Sequence, residues 1–226
     1  LGIFVGITIF AANFAVSLFF DTEVDGMGAI ILMVTLPLIV LAMPLMAICE
    51  LYRKSATPIA NIATSILGAL YAALPMSLML IIPLLLGNGE WNPWIIIFYV
   101  FIIWANDVFA YLFGITLGKH RLFERISPKK SWEGFFGGLL GAMAMGYVAS
   151  IVVEANAMVW VGLALVAAIS GVFGDLIESM FKRSIDIKDS GNIIPGHGGL
   201  LDRFDSALIA IPIGIIYLVT WNVLCL

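Results

Sequence analysis

Uncharged apolar runs, each about as long as a lipid bilayer is thick, decide what this chain can fold into. The hydrocarbon core of a bilayer is about 30 Å thick, and a helix needs roughly 20 apolar residues to cross it. Residues 1–20 carry no charge, and neither do residues 27–49, where Pro37 and Pro44 predict a kink. Residues 55–89 are also uncharged but too long for one upright helix, so a span is placed at about 62–86, with Thr57-Pro58 at its start. Residues 93–117 are apolar except for Asp107, 134–153 are apolar and glycine-rich, 157–181 are apolar except for Asp175 and Glu178, and 206–226 close the chain. The expected fold is an all-α, polytopic integral membrane bundle of about seven transmembrane helices. A membrane β-barrel would alternate apolar and polar residues over segments of about ten, which these runs do not.

Composition agrees. Of the 226 residues, 62% are hydrophobic and 12% charged, against about 25% charged in an average soluble domain. Too few polar atoms are present to cover a water-facing surface, which excludes a soluble enzyme, a disordered chain and a disulfide scaffold. The few charges also report sidedness. All eleven Lys and Arg residues fall in alternate loops: Arg53 and Lys54, then Lys119 to Lys130, then Lys182 to Arg203. The opposite loops hold only acids, among them Asp21, Glu23, Asp25, Glu90 and Glu154. The positive-inside rule places the basic loops and the amino end in the cytoplasm. Cys49 and Cys225 then lie about one bilayer apart and are expected to be free thiols. Leu1 is not an initiator methionine, so the natural start is expected to lie upstream, with room for a further span. The first run has no basic n-region, which argues against a cleaved signal peptide. One transmembrane domain is expected over 1–226, with little specific pattern in 1–100 and the catalytic motifs in 101–226.

Acids inside a membrane span are costly and usually face a cavity. Asp107 and Asp175 both fall in the cytoplasmic half of their helices, roughly 16 and 10 Å from the following basic loops at 1.5 Å per residue, as the floor of a polar funnel open to the cytoplasm. Asp175, Glu178, Ser179 and Lys182 are spaced i, i+3, i+4, i+7 and share one helical stripe. An intrahelical Glu178–Lys182 ion pair is the bland alternative and can coexist with a site. For Asp107 the bland alternative is a packing hydrogen bond near Asn106 and Tyr111.

The next loop carries Lys182, Arg183 and Lys188, then His197 flanked by Gly196, Gly198 and Gly199, then Asp202-Arg203-Phe204-Asp205. Glycines let backbone N–H groups approach a ligand. Helix capping accounts for one of the two aspartates. It leaves unexplained the arginine between them and the basic, glycine-rich lead-in. Carboxylates on facing helix ends can hold one or two hard divalent cations, and neighbouring Lys and Arg can hold phosphates, as phosphoryl or nucleotidyl transfer requires. Lys129, Lys130 and Ser131 at the start of the fifth span suit an anion at a helix N-terminus. Trp132 suits either the interfacial aromatic belt or stacking on a base. Gly134, Gly137, Gly138 and Gly141 predict close helix packing, and His120 reads as solvated.

Residues 179–205 resemble the signature of the CDP-diacylglycerol synthases (phosphatidate cytidylyltransferases). The pattern is Ser-x-x-Lys-Arg, four residues, Lys-Asp, then Pro-x-His-Gly-Gly and Asp-Arg-x-Asp, met here without a gap. Residues 127–138 are similar to a second cytoplasmic motif of that family, with Ser131 where Thr is also common. The resemblance implies an enzyme that converts CTP and phosphatidic acid to CDP-diacylglycerol and pyrophosphate with Mg²⁺. It also implies a homodimer in a bacterial inner membrane or an organelle membrane, acting on membrane lipid and not on nucleic acid. Carried onto these residues, Asp175 and Asp202 hold metal, with Glu178 and Asp205 as further ligands. Lys182, Arg183, Lys188 and Arg203 neutralise phosphates. Lys129, Lys130 and Ser131 bind nucleotide or lipid phosphate, His197 donates to a phosphate, and Ser179, Gly198, Gly199 and Asp107 complete the substrate site. Two other readings stand beside it: an ion-coupled secondary transporter, and another CTP-dependent lipid enzyme such as a lipid kinase.

Overall fold

The computed structural model describes residues 2–19, 27–87, 91–191 and 199–225. Seven helical segments follow one another among the described residues: α1 (Gly2–Phe19), α2 (Met27–Arg53), α3 (Pro58–Leu86), α4 (Pro93–Leu117), α5 (Trp132–Val152), α6 (Ala157–Ser184) and α7 (Leu201–Leu224). The last five are long and apolar enough to cross a membrane. The chain is thus a polytopic, helical integral membrane protein, as its apolar runs require, and seven spans is an approximate count. Cys49 and Cys225 are both free; Glu90 and the acids of 21–25 lie outside the described residues.

Two compact units divide the chain, Leu1–Trp91 and Asn92–Leu226. In the first, α1, α2 and α3 close around Val5, Ile9, Ala42, Met46 and Ala69. Asn13 on α1 donates to Ser77 Oγ on α3 at 3.0 Å, which satisfies an amide between apolar helices. Helix α2 runs through Pro37 and Pro44 without interruption. Helix α3 starts with Pro58 in its first turn, where a missing N–H costs nothing. Its interior changes form twice: a π turn at Ala69–Ala73 precedes Pro75, and a 3₁₀ turn at Met79–Ile81 precedes Pro83. Each proline ring excludes the carbonyl four residues back and offers no N–H to it, so the ladder re-forms with a different ring size.

The second unit is built on a glycine seam. Gly134, Gly137, Gly138 and Gly141 are all buried on α5. A Cβ on Gly138 would fall 2.6 Å from Asn106 Oδ1 and 2.8 Å from the Asn106 carbonyl of α4, while one on Gly134 would meet the Ala110 carbonyl at 2.6 Å. Phe113 and Phe109 fill the space above Gly137 and Gly141. These glycines let α4 and α5 pack backbone to backbone. Gly174 does the same for α6 against α7, where a Cβ would lie 2.6 Å from the Asp205 carbonyl. Trp160, Leu163 and Ala167 of α6 are buried with Leu208 and Ile211 of α7. Buried Tyr99 of α4 donates to the Ala210 carbonyl of α7 at 2.7 Å.

One element departs from the all-helical expectation. Between α4 and α5, where the sequence indicates a plain loop, β1 (Arg121–Phe123) pairs antiparallel with β2 (Ser127–Ser131), in the register Arg121↔Ser131 and Phe123↔Ser127 with an irregularity between. Strands this short and polar carry no two-residue alternation to read, and Pro128 argues against a strand anywhere but at an edge; a two-stranded sheet is all edge. His120 fastens the hairpin to α5. Its backbone N–H donates to both Glu133 oxygens at 3.3 Å, and its ring Nδ1 lies 2.7 Å from Oε1. His120 is exposed, as read from the sequence, but it is not solely solvated.

The seam predicts a sharp contrast between two glycines. Gly138→Val should cost about 1–3 kcal/mol through overpacking, seen as a lower midpoint of thermal unfolding in detergent. Gly68 has no neighbour within 4 Å of an added Cβ, so Gly68→Ala should leave the midpoint unchanged or raise it. Equal effects would mean that the α4–α5 approach does not limit stability.

Candidate active site

Five carboxylates of the second unit lie on three helices: Asp107 on α4, Asp175 and Glu178 on α6, and Asp202 and Asp205 on α7. The helical stripe read from the sequence forms, and its ion pair extends across helices. Lys182 Nζ donates to Glu178 Oε2 at 2.6 Å, one turn back on α6, and to Asp202 Oδ1 at 2.8 Å on α7. This triad is well enclosed, with side-chain exposures of 15% for Lys182, 2% for Glu178 and 8% for Asp202. Glu178 Oε1 is buried with no hydrogen-bond partner. The Asp175 stripe neighbour behaves as spaced: Ser179 Oγ donates to Asp175 Oδ1 at 3.2 Å.

The second cation comes from far along the chain. Lys130 Nζ lies 2.5 Å from Asp175 Oδ2, so strand β2 reaches helix α6 and joins the two cytoplasmic motifs. Successive strand residues point to opposite faces, which separates the two lysines: Lys130 turns inward and is partly buried, and Lys129 is exposed. Asp107 is exposed on α4, within electrostatic range of both Lys130 and Asp175. Asp205 lies within range of Asp175 and Asp107, and Glu178 of Asp202 and Asp205. All five acids and two lysines thus belong to one electrostatic cluster with a surplus of negative charge. Among the described residues no three His, Cys, Asp or Glu side chains already converge as a metal cage.

Several expected residues stand in unexpected roles. Asp202 does not cap α7. It accepts from Ser190 N–H (2.9 Å to Oδ2), Ser190 Oγ (3.0 Å) and Gly199 N–H (2.7 Å), besides Lys182. Gly199 therefore spends its N–H on the protein. Ser131 is buried and accepts from Gly134 N–H at 3.1 Å, so it caps α5. Arg183 is exposed and its Nη1 donates to the Ile187 carbonyl at 3.1 Å. Lys188 and Arg203 are exposed. His197 and Gly198 lie outside the described residues. Sequence reasoning missed Ser190 and the Lys130–Asp175 pair. The Ser190-Gly191 step after Lys188-Asp189 marked a turn; nothing local marked a pair spanning 45 positions.

The fold and this cluster define a class: a polytopic membrane protein with a carboxylate-rich, lysine-bearing site at the ends of its apolar helices. A sequence profile of the Cytidylyltransferase family matches residues 2–221, and the chain belongs to that family. It is 48% identical over 120 residues to a phosphatidate cytidylyltransferase of Staphylococcus aureus, covering 52% of this chain and 46% of the relative. Proteins of the same name from Staphylococcus epidermidis and Staphylococcus saprophyticus are 46% identical over 120 residues, with the same coverage. The chain thus spans about half the length of the curated relatives it matches.

The triad gives a direct test. Lys182→Met would strand Glu178 and Asp202 as uncompensated buried charges, a loss of about 3–5 kcal/mol. In Glu178→Gln/Lys182→Met much of that loss should return, because one stranded charge is gone. Unfolding in detergent for both singles and the double forms a double-mutant cycle. Simple additivity would show that the triad is not energetically connected.

Proposed function

We propose that this chain is a phosphatidate cytidylyltransferase, joining CTP and phosphatidic acid to give CDP-diacylglycerol and pyrophosphate. The observation that carries the reading is the pairing of lysines with surplus carboxylates at the ends of membrane helices. That site can take up phosphates and a hard cation where an anionic lipid can reach it from the leaflet. The name shared by the staphylococcal relatives narrows the chemistry to cytidylyl transfer. The basic loops support a cytoplasmic site in a bacterial cell membrane, where CTP would arrive from water, and a homodimer completes the reading.

A phosphate oxygen of phosphatidate attacks the α-phosphorus of CTP in line. A new P–O bond forms as the bond to the β-phosphate oxygen breaks, and pyrophosphate leaves with its charge. The nucleophile is already an anion, so no strong general base is needed. Lys130 and Lys182, now held on carboxylates, neutralise phosphate oxygens, and Arg203, Lys188 and Arg183 border the site. Lys129, on the exposed face of β2, meets the incoming lipid phosphate. His197 donates to a phosphate.

Mg²⁺, as one or two ions, fits the donor set. The ligands are hard oxygens in charge excess, and Glu178 Oε1 is a buried acceptor without a partner. Glu178 and Asp205 would hold the ion, with Asp175 once a phosphate draws Lys130 off its Oδ2; Asp202, held by four donors, would order the surrounding segment and join them only on rearrangement. Bound there, Mg²⁺ would supply charge neutralisation at the transferring phosphoryl group.

Purified protein should release pyrophosphate from CTP only with phosphatidate and Mg²⁺ present, one for each CDP-diacylglycerol formed. Asp175→Asn should lower turnover at least about 100-fold, the scale for losing one preorganised charge-stabilising group. Release of CDP in place of pyrophosphate would mean a lipid kinase. Solute flux into vesicles without CTP consumption would mean a carrier.

A further inference from the structure

The β1–β2 hairpin joins two membrane-spanning helices over a short stretch, which places it at a membrane–water boundary for either orientation of the chain. Arg121, Arg125 and Lys129 are exposed on it, and Lys119 just before it is exposed too. None of the four forms an ion pair among the described residues, whereas Arg53, Lys130 and Lys182 each sit on a carboxylate. Of the two acids in residues 118–133, Glu133 is taken up by His120, which leaves Glu124 alone. Aromatic surface flanks the charge. Phe123 is exposed on β1, and exposed Trp132 stacks on Phe136 at 6.2 Å in the first turns of α5. Aromatic rings favour the headgroup boundary.

Sidedness explains why bases occur in this connection. It does not explain why they are held unpaired on a hydrogen-bonded hairpin, with a nearby glutamate diverted to a histidine. We propose that the hairpin is a docking surface for the headgroups of anionic lipids in its leaflet. Arg121, Arg125 and Lys119 take headgroup phosphates, while Phe123 and Trp132 rest at the acyl boundary. Charge complementarity selects this occupant, and the aromatic flank selects a lipid surface over a soluble polyanion. Adjacent Lys129 and Lys130 point to opposite faces, so the same strand that meets the leaflet also touches Asp175. The inference stands on the hairpin's own geometry and does not depend on the reaction proposed above.

The test uses the full chain in phosphatidylcholine vesicles, with a photoactivatable phosphatidylglycerol or phosphatidylcholine probe and mass-spectrometric mapping of the labelled peptides. Residues 119–132 should be labelled several-fold more by the phosphatidylglycerol probe, and the preference should shrink as salt screens it. Lys119→Gln/Arg121→Gln/Arg125→Gln should lose most of the preference, since each base near an anionic surface is worth up to about fivefold. The charge-preserving Lys119→Arg/Arg121→Lys/Arg125→Lys should keep it. If the neutral variant does not fold, the wild-type preference and its salt dependence still decide. Equal labelling by the two probes, or a preference surviving in a folded neutral variant, overturns the proposal. So does a preference abolished by inorganic phosphate at matched ionic strength, which would mark a free-phosphate site. Because labelling is read without turnover, failure here leaves the cytidylyl-transfer reading untouched, and the reverse also holds.

Discussion

A carboxylate placed within an apolar helix must be paired or open to water, and that single demand organises the second unit. Lys182 answers it for Glu178 and Asp202 together, and in doing so ties α6 to α7. Lys130 answers it for Asp175, and in doing so ties β2 to α6. Neither contact is available unless helices approach closely, which is why glycine recurs at the seams: Gly174 brings α6 against the Asp205 backbone, and Gly138 brings α5 against Asn106. Small residues give the proximity, and proximity lets a few cations serve more acids than they could in separate helices.

The same pairing shapes the proposed chemistry. With both lysines held by carboxylates, the phosphates and cation of the proposed reaction would address the two halves of the same ion pairs. A phosphate would draw a lysine away from its acid, and the acid so released would favour a divalent ion. Each event would lower the electrostatic cost of the other, because neither would leave an unmatched charge in an enclosed site.

Much of this was legible in the sequence. The helices follow from run length and charge placement, and the Glu178–Lys182 pair follows from its i, i+4 spacing. The glycine positions that pack α5 on α4 follow from their three- and four-residue spacing. The hairpin was not legible, since Ser-Pro-Lys-Lys-Ser carries no apolar–polar alternation. The partners of Asp202 were not legible either. An aspartate at a helix start reads as a cap, and only the folded chain shows its oxygens turned to Ser190 and Gly199. Ser131 shows the same limit in reverse: a hydroxyl beside two lysines suggested an anion, and local geometry spends it on the Gly134 amide.

Asp202 has one more consequence. Its carboxylate receives N–H groups from both Ser190 and Gly199, so two points nine positions apart in the chain are stitched to a single side chain. The entropy of bringing those points together is met by the framework rather than by whatever lies between them. One carboxylate thus acts as a clasp: it holds Ser190 beside Gly199 and, through Lys182, fastens both to α6.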